Sequence, residues 1–562
     1  MEIFSLIKIS ATSFYPLFKL DHLNSFVLLA IGLFSVLTII YSLRFMKGRQ
    51  GLFQYYTYII LTAIASIGAV LSNNLVLLLV FWGFLGLTLY LLINMGDDKA
   101  SSVAKKTFII IGGSDALMLL GIGIIYYFTG TLQMDQIKLS LPTPNSQLPT
   151  IAYLCIAIAC FAKAGAMPFH SWIPDCAESA PLPAVAYLPA SLDKLLGIYL
   201  LARISLDLFV MNEAMNTLLM VVGAFTIIAA VMMALVQHNM KRLLGYHAVS
   251  QVGYMVLGIG TGIPIGIAGG IFHMLNHAIY KSCLFFTAGN VEYRSNTSEL
   301  GELGGLAKLI PITYISAFIA SLSISGVPPF NGFVSKWMIY QGLIQRLSVN
   351  GGRLVVILCL AAAMFSSGLT LASFMKLLHA AFLGSRTQKS NSPQAHEVPW
   401  TMWLPCVILA IICIIFGVFA KQLPLKYFIL PVVEGSAFTG TWYAGLSTML
   451  IIIGLILGMI IVSLKGLKPT LRVDKAFMGS EVPDLQDSFV TGTEFYNTVK
   501  DFGVLKAIYK KAQAGSFDIY EQGKKVIFGI GGFLQYLHNG VLPTYLVWTL
   551  LGMMALFFTL IR

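Results

Sequence analysis

Residues 269–286, GGIFHMLNHAIYKSCLFF, are apolar enough to lie inside a bilayer, yet they carry His273, His277 and Lys281. The i, i+4, i+8 spacing drifts only ~40° per step around an α-helix, so all three line one face. A charged side chain at the bilayer centre costs at least about 2.5 kcal/mol, so such residues face the protein interior or a hydrated path and mark function. Imidazole exchanges protons near physiological pH, which suits a relay. Zinc is a poorer fit: HMLNH lacks the glutamate of H-E-x-x-H and a third ligand, so no metal site is expected.

The surrounding sequence has the composition of a membrane protein. Of 562 residues, 57% are hydrophobic and 11% charged, whereas soluble domains carry about a quarter charged residues. Apolar runs of roughly 20 residues recur along the chain, each long enough to cross a ~30 Å hydrocarbon core. They predict an all-α, polytopic membrane protein of about 14–15 transmembrane helices. The formal charge of +12 falls in short loops such as LRFMKGRQ and DDKASSVAKK, which argues for membrane orientation and against nucleic acid. The loops at 44–49, 97–106 and 241–242 share one face on this reading, assigned to the cytoplasm of an inner-membrane, multi-pass protein. Residues 1–24, interrupted by Lys8, Lys19 and Asp21, lack a signal-peptide pattern. Seven scattered cysteines without C-x-x-C spacing point to no disulfide framework and no iron–sulfur cluster in this chain.

Two segments are interrupted alike. CIAIACFAKAGAMPFHSWIPD (155–175) and ASLSISGVPPFNGFVSKWMIY (320–340) each place a Pro-Phe pair beside a lysine, Lys163 and Lys336. Proline removes a helical hydrogen bond and clashes with the preceding turn, so each segment reads as a broken helix. Paired broken helices suggest inverted repeats and an ion path at the breaks; two ordinary proline kinks are the alternative. Asp115 in IIIGGSDALMLLGIG is the acid most deeply embedded by sequence, with Asp193 and Lys194 adjacent in PASLDKLLGIYLL. Asp115 could instead serve helix packing, and Lys194, Lys241 and Lys376 could snorkel to the interface.

The expected organisation is an N-terminal segment (1–24), a proton-conducting membrane domain (25–420), an additional transmembrane region (421–466), a polar linker with an amphipathic lateral helix (467–540) and a C-terminal transmembrane helix (541–562). Leu505, Ile508, Tyr509 and Ala512 follow helical spacing on one face of that lateral helix, which lies on the membrane surface or against a partner.

ALVQHNMKRLLGYHAVSQVGYMVLGIG (234–260) followed by GGIFHMLNHAIYKSCLFFTAGNV (269–291) closely resembles the central signature of the antiporter-like, proton-translocating subunits of respiratory complex I. FAKAGAMPFHSWIPDCAESAPLPAVAYL (161–188) and GVPPFNGFVSKW (326–337) match the broken-helix regions of the same family, whose fold also serves membrane-bound hydrogenases and multisubunit cation/proton antiporters. The resemblance covers about residues 25–420. It implies a proton pathway through Lys163, His273, His277, Lys281 and Lys336, with Asp115, Asp193, Lys194 and Lys241 as further members. The polar tail and last helix resemble the lateral helix of the distal complex I subunit. One departure stands out: the family's W-E-G is FWGFLG here, with Gly83 where a glutamate would pair with Lys163. Asp115 first, and Asp193 second, are the acids that could replace it.

These features imply a proton- or sodium-translocating subunit of a redox-driven, complex I-like or hydrogenase-like complex, with no covalent chemistry of its own. Other membrane subunits, a peripheral redox arm and the lipid bilayer are the expected partners. Iron–sulfur clusters, flavin, quinone or a nickel–iron centre would sit in those partner subunits. A subunit of a non-redox cation/proton antiporter, or of an ion-coupled inorganic-carbon uptake complex, is the alternative. A scaffold that has lost pumping is a third reading, prompted by Gly83.

Overall fold

The computed structural model describes residues 17–141, 146–348, 353–384, 396–433 and 497–561, with scattered positions between 435 and 460. Residues 1–16 of the N-terminal segment, most of the apolar run near 455 and the polar stretch 467–496 lie outside the described residues.

The chain is an all-α polytopic membrane protein. Its longer helices are α1 (His22–Phe45), α2 (Leu52–Leu71), α3 (Leu75–Ile93), α4 (Ala100–Thr129), α5 (Leu148–Ala164), α6 (Trp172–Ser179) and α7 (Leu182–Leu208). They continue with α8 (Glu213–Leu235), α9 (Met240–Gly260), α10 (Pro264–Ser295), α11 (Pro311–Ser325), α12 (Asn331–Arg346), α13 (Arg353–Leu383) and α14 (Trp400–Val418). Among the described residues nine helices are long and apolar enough to cross a membrane. α9 and α10 are not among them, because their polar residues lower the mean hydropathy.

α10 is the centre of this unit. Every residue from Ile265 to Val291 is buried, and the helix packs against α7, α9, α11, α12 and α14. α2, α3, α4 and α13 carry the apolar exterior, including Ile60, Ile64, Val80, Phe108, Leu119 and Phe365. The layout is thus inverted in polarity, with greasy helices outside and the ionisable helix within, as a bilayer solvent demands.

Both interrupted segments are broken in the same manner. α5 ends at Gly165 (φ 84, ψ 38) and α11 at Gly326 (φ 80, ψ 38). The Ala166 N–H closes on the Phe161 carbonyl and the Val327 N–H on the Leu322 carbonyl, the six-to-one bond of a left-handed helix terminus. Pro168 and Pro329 follow at the same offset. The shared cap geometry and spacing are what the expected internal repeat calls for.

A second unit, Gly503–Arg562, holds α15 (Gly503–Gln513), α16 (Ile519–Leu537) and α17 (Leu542–Ile561). Tyr509 is buried in α15, and α17 meets the length and hydropathy of a membrane span.

Gly165→Ala should lower the thermal midpoint in detergent. A Cβ there meets Ile173 Cδ1 at 1.8 Å, on a backbone of positive φ, which by itself costs about 1–2 kcal/mol. Gly123→Ala, in open space on α4, should leave the midpoint unchanged or raise it, with a gain of up to about 1 kcal/mol.

Candidate functional site

The first break holds Lys163. Its side chain is fully enclosed; the amine donates to the Trp82 carbonyl at 3.4 Å and lies 4.9 Å from the centre of the Trp82 ring. Among the described residues no carboxylate oxygen comes within 4 Å of it. Gly83, where the family's glutamate would stand, faces outward: a Cβ there meets nothing within 4 Å. Asp115 approaches from α4, its Oδ2 4.0 Å from where a Cβ on Gly86 would lie. Lys163 interacts electrostatically with Asp193 most strongly and with Asp115 next. The order differs from the sequence reading: Asp193 is the fully buried acid and Asp115 is only partly covered.

A wide turn brings Asp193 there. Pro189 has no N–H to continue α7, and residues Leu188–Leu192 form a π-turn whose last bond runs from Asp193 N–H to the Leu188 carbonyl. Such bulges often accompany functional sites. The Ala186 carbonyl beside it accepts from the hydroxyls of Ser191 and Ser282, and the Tyr187 carbonyl from Ser191. Both carboxylate oxygens of Asp193 are buried without a hydrogen-bond partner among the described residues. Lys194 follows, fully enclosed and 5.2 Å from the centre of the Trp172 ring, so it does not snorkel. Its amine lies 3.6 Å from where a Cβ on Gly165 would be.

The second break is arranged like the first. The Lys336 amine lies 3.7 Å from the Cβ position of Gly326, and donates to the Ile324 carbonyl at 2.9 Å and to Ser367 Oγ at 3.0 Å. Tyr254 covers it, with the ring centre 4.6 Å away. Asn276 ties α10 to this break: its amide and that of Asn331 exchange hydrogen bonds, Asn276 donating to the Asn331 carbonyl and Asn331 donating back to Asn276 Oδ1, each at 3.0 Å.

Between the breaks stand the three residues of α10, all fully buried. His273 Nδ1 bonds Ser335 Oγ at 2.9 Å, while Nε2 bonds Gln251 Oε1 at 3.1 Å. Among the described residues the side chains of His277 and Lys281 have no hydrogen-bond partner; Lys281 lies 5.6 and 5.7 Å from the ring centres of Phe285 and Phe374. Electrostatic interactions join the groups in one sequence: Lys163 with Asp193, Asp193 with Lys194, Lys194 with Lys281, Lys281 with His277, His277 with His273, and His273 with Lys336. Buried ionisable groups that act on one another electrostatically thus occupy the space between the two helix breaks.

Lys241 is not brought to this row. It pairs with Glu292 at 2.9 Å near the start of α9, and Lys376 donates to the Leu235 and Gln237 carbonyls at the α8–α9 turn. Sequence reasoning missed Gln251, Tyr254 and His247, although they repeat at helical spacing on α9, which runs beside α10. That second polar stripe in an apolar segment was the available signal.

The sequence profile of the family described as NADH:quinone oxidoreductase/Mrp antiporter, TM, matches residues 72–370. In Alkalihalophilus pseudofirmus, the A-type component of a Na(+)/H(+) antiporter is 32% identical over 423 residues, 71% of this chain and 52% of that protein. Its A1-type counterpart in Staphylococcus epidermidis is 31% identical over 405 residues, 69% of this chain and 50% of that protein. The chain thus spans about half the length of the curated relatives it matches. Among solved structures, a chain of the Mrp complex from Dietzia sp. superposes with a TM-score of 0.66 at 23% identity, over 74% of this chain and 84% of that one. A chain of the membrane-bound sulfane sulfur reductase, an archaeal respiratory membrane complex, gives 0.79 at 23% identity, over 96% and 89%. At that identity the two structures establish the fold.

Ser335→Ala should lower the thermal midpoint, because it leaves His273 Nδ1 buried without its partner, at a cost of about 1–3 kcal/mol. Ser25→Ala, at an exposed hydroxyl that bonds only the His22 carbonyl, is the control and should change little.

Proposed function

Because the chain belongs to the NADH:quinone oxidoreductase/Mrp antiporter transmembrane family, we propose that it is an ion-translocating subunit of a multisubunit cation/proton antiporter. Protons would move along the buried row between the two breaks, in exchange for sodium. The observation that carries this reading is the buried succession of Lys163, Asp193, Lys194, Lys281, His277, His273 and Lys336.

The chemistry follows from charge and burial. Lys194, Lys281 and His277 are neighbouring cations when protonated, so a proton arriving on one drives a proton off the next. Asp193 offsets the charge of Lys163 and Lys194, in the role a glutamate at position 83 would otherwise fill, and Asp115 adds to it from α4. His277 and Lys281 lie beyond direct hydrogen bonding to their neighbours, so transfer between them runs through bridging water. At the second break the Ile324 carbonyl accepts from Lys336, while Lys163 takes the Trp82 carbonyl of the neighbouring α3.

The antiporter reading stands ahead of the redox-driven one because the relatives above 30% identity are antiporter subunits, whereas the likeness to a respiratory complex is one of fold. Other membrane subunits are the natural partners. A peripheral redox arm, with iron–sulfur, flavin, quinone or nickel–iron centres, belongs to the alternative.

The test uses everted vesicles holding the assembled complex without an electron donor. A sodium pulse should move protons, followed with a pH-sensitive dye. Lys281→Ala and Asp193→Asn should slow this by about tenfold or more, and Asp115→Asn by less, on the scale of losing one proton-transfer group. Proton movement that appears only when an electron donor is supplied would establish the redox reading instead. A native rate in Lys281→Ala would remove the row from the mechanism.

A further inference from the structure

His247 on α9 is a buried imidazole outside the row from Lys163 to Lys336. It is fully enclosed. Its Nε2 bonds Ser373 Oγ on α13 at 2.7 Å, while Nδ1 is buried with no hydrogen-bond partner among the described residues. A ring held only for packing would leave that nitrogen as a standing cost of about 1–3 kcal/mol, which an apolar side chain would avoid.

Its position gives the nitrogen a use. The ring lies 4.7 Å, centre to centre, from Phe374, and the Lys281 amine lies 5.7 Å from the same Phe374 ring. Two residues further along α13, Lys376 reaches the Leu235 and Gln237 carbonyls at the α8–α9 turn, on the face of the lysine- and arginine-rich loops. The charged groups that act on His247 are Lys281 of α10, Lys336 of α12 and Lys376 of α13. On its own helix Arg242 is occupied by Asp175 and Glu178. Charge repulsion couples protonation of the ring to that of these three lysines, as a transfer group requires.

We propose that His247 is a proton-carrying residue, forming a branch that joins the central row at Lys281 to Lys376 at the basic face. The inference rests on the proton-translocation reading of the row. Protons would then reach the middle of the row without passing through either helix break, and Ser373 would act as the positioning residue that holds the imidazole between the two lysines.

The experiment is sodium-driven proton movement in everted vesicles holding the assembled complex, measured across pH. His247→Gln keeps a polar side chain able to bond Ser373 but cannot take up a proton; it should slow transport about tenfold and flatten the pH profile. Ser373→Ala leaves the imidazole in place and removes only its anchor; it should slow transport several-fold and move the pH optimum. Lys281→Ala runs alongside. If Lys281→Ala stops transport while either assembled variant, His247→Gln or Ser373→Ala, keeps the native rate and pH profile, the branch is refuted and the central row stands. If Lys281→Ala is also native, both ideas fall together. Should His247→Gln not assemble, Ser373→Ala alone decides the branch.

Discussion

The rest of the structure depends on the cost of keeping the α10 row away from lipid. Two histidines and a lysine on one stripe of a helix are tolerable in a bilayer only if other protein covers every side of that helix. α7, α9, α11, α12 and α14 do so, and Ile265 to Val291 are accordingly buried throughout. The neighbours then have to supply polar partners without exposing any: Gln251 from α9 and Ser335 from α12 take the two nitrogens of His273. The polarity of each surrounding helix follows from which side it turns toward α10.

The two helix breaks answer a different constraint. A lysine amine held in the interior needs acceptors, and a backbone carbonyl, which has two lone pairs, supplies one at a helix end or within a helix. Ending α11 at Gly326 frees carbonyls where Lys336 can reach Ile324; beside the first break the acceptor comes from Trp82 of the neighbouring α3. The π-turn before Asp193 frees another pair, taken up by serines.

Gly83 illustrates how charge compensation can move between helices. The position faces outward, so its lost carboxylate leaves no gap in the core. Asp193 from α7 and Asp115 from α4 act on the same lysine electrostatically, without a direct ion pair among the described residues.

Much of this was legible in the residues themselves. Composition and apolar run length determine an all-α membrane protein; the i, i+4, i+8 spacing determines that His273, His277 and Lys281 share a face; and the Gly and Pro-Phe pattern determines where α5 and α11 end. These are local properties, governed by helix period and backbone sterics. What only the tertiary structure decided is which faces meet. Asp115 looks the deeper acid from the run that contains it, yet Asp193 is the enclosed one, because α7 is covered on all sides by other helices while α4 faces outward. Lys194 and Lys241 look alike as lysines at helix ends, yet one joins the row and the other pairs with Glu292. His247 belongs to a polar stripe legible on α9, but its partners are decided only when α13 brings Ser373 and Phe374 to its ring. Burial depends on neighbours distant in the chain, and a residue's own segment does not carry that information.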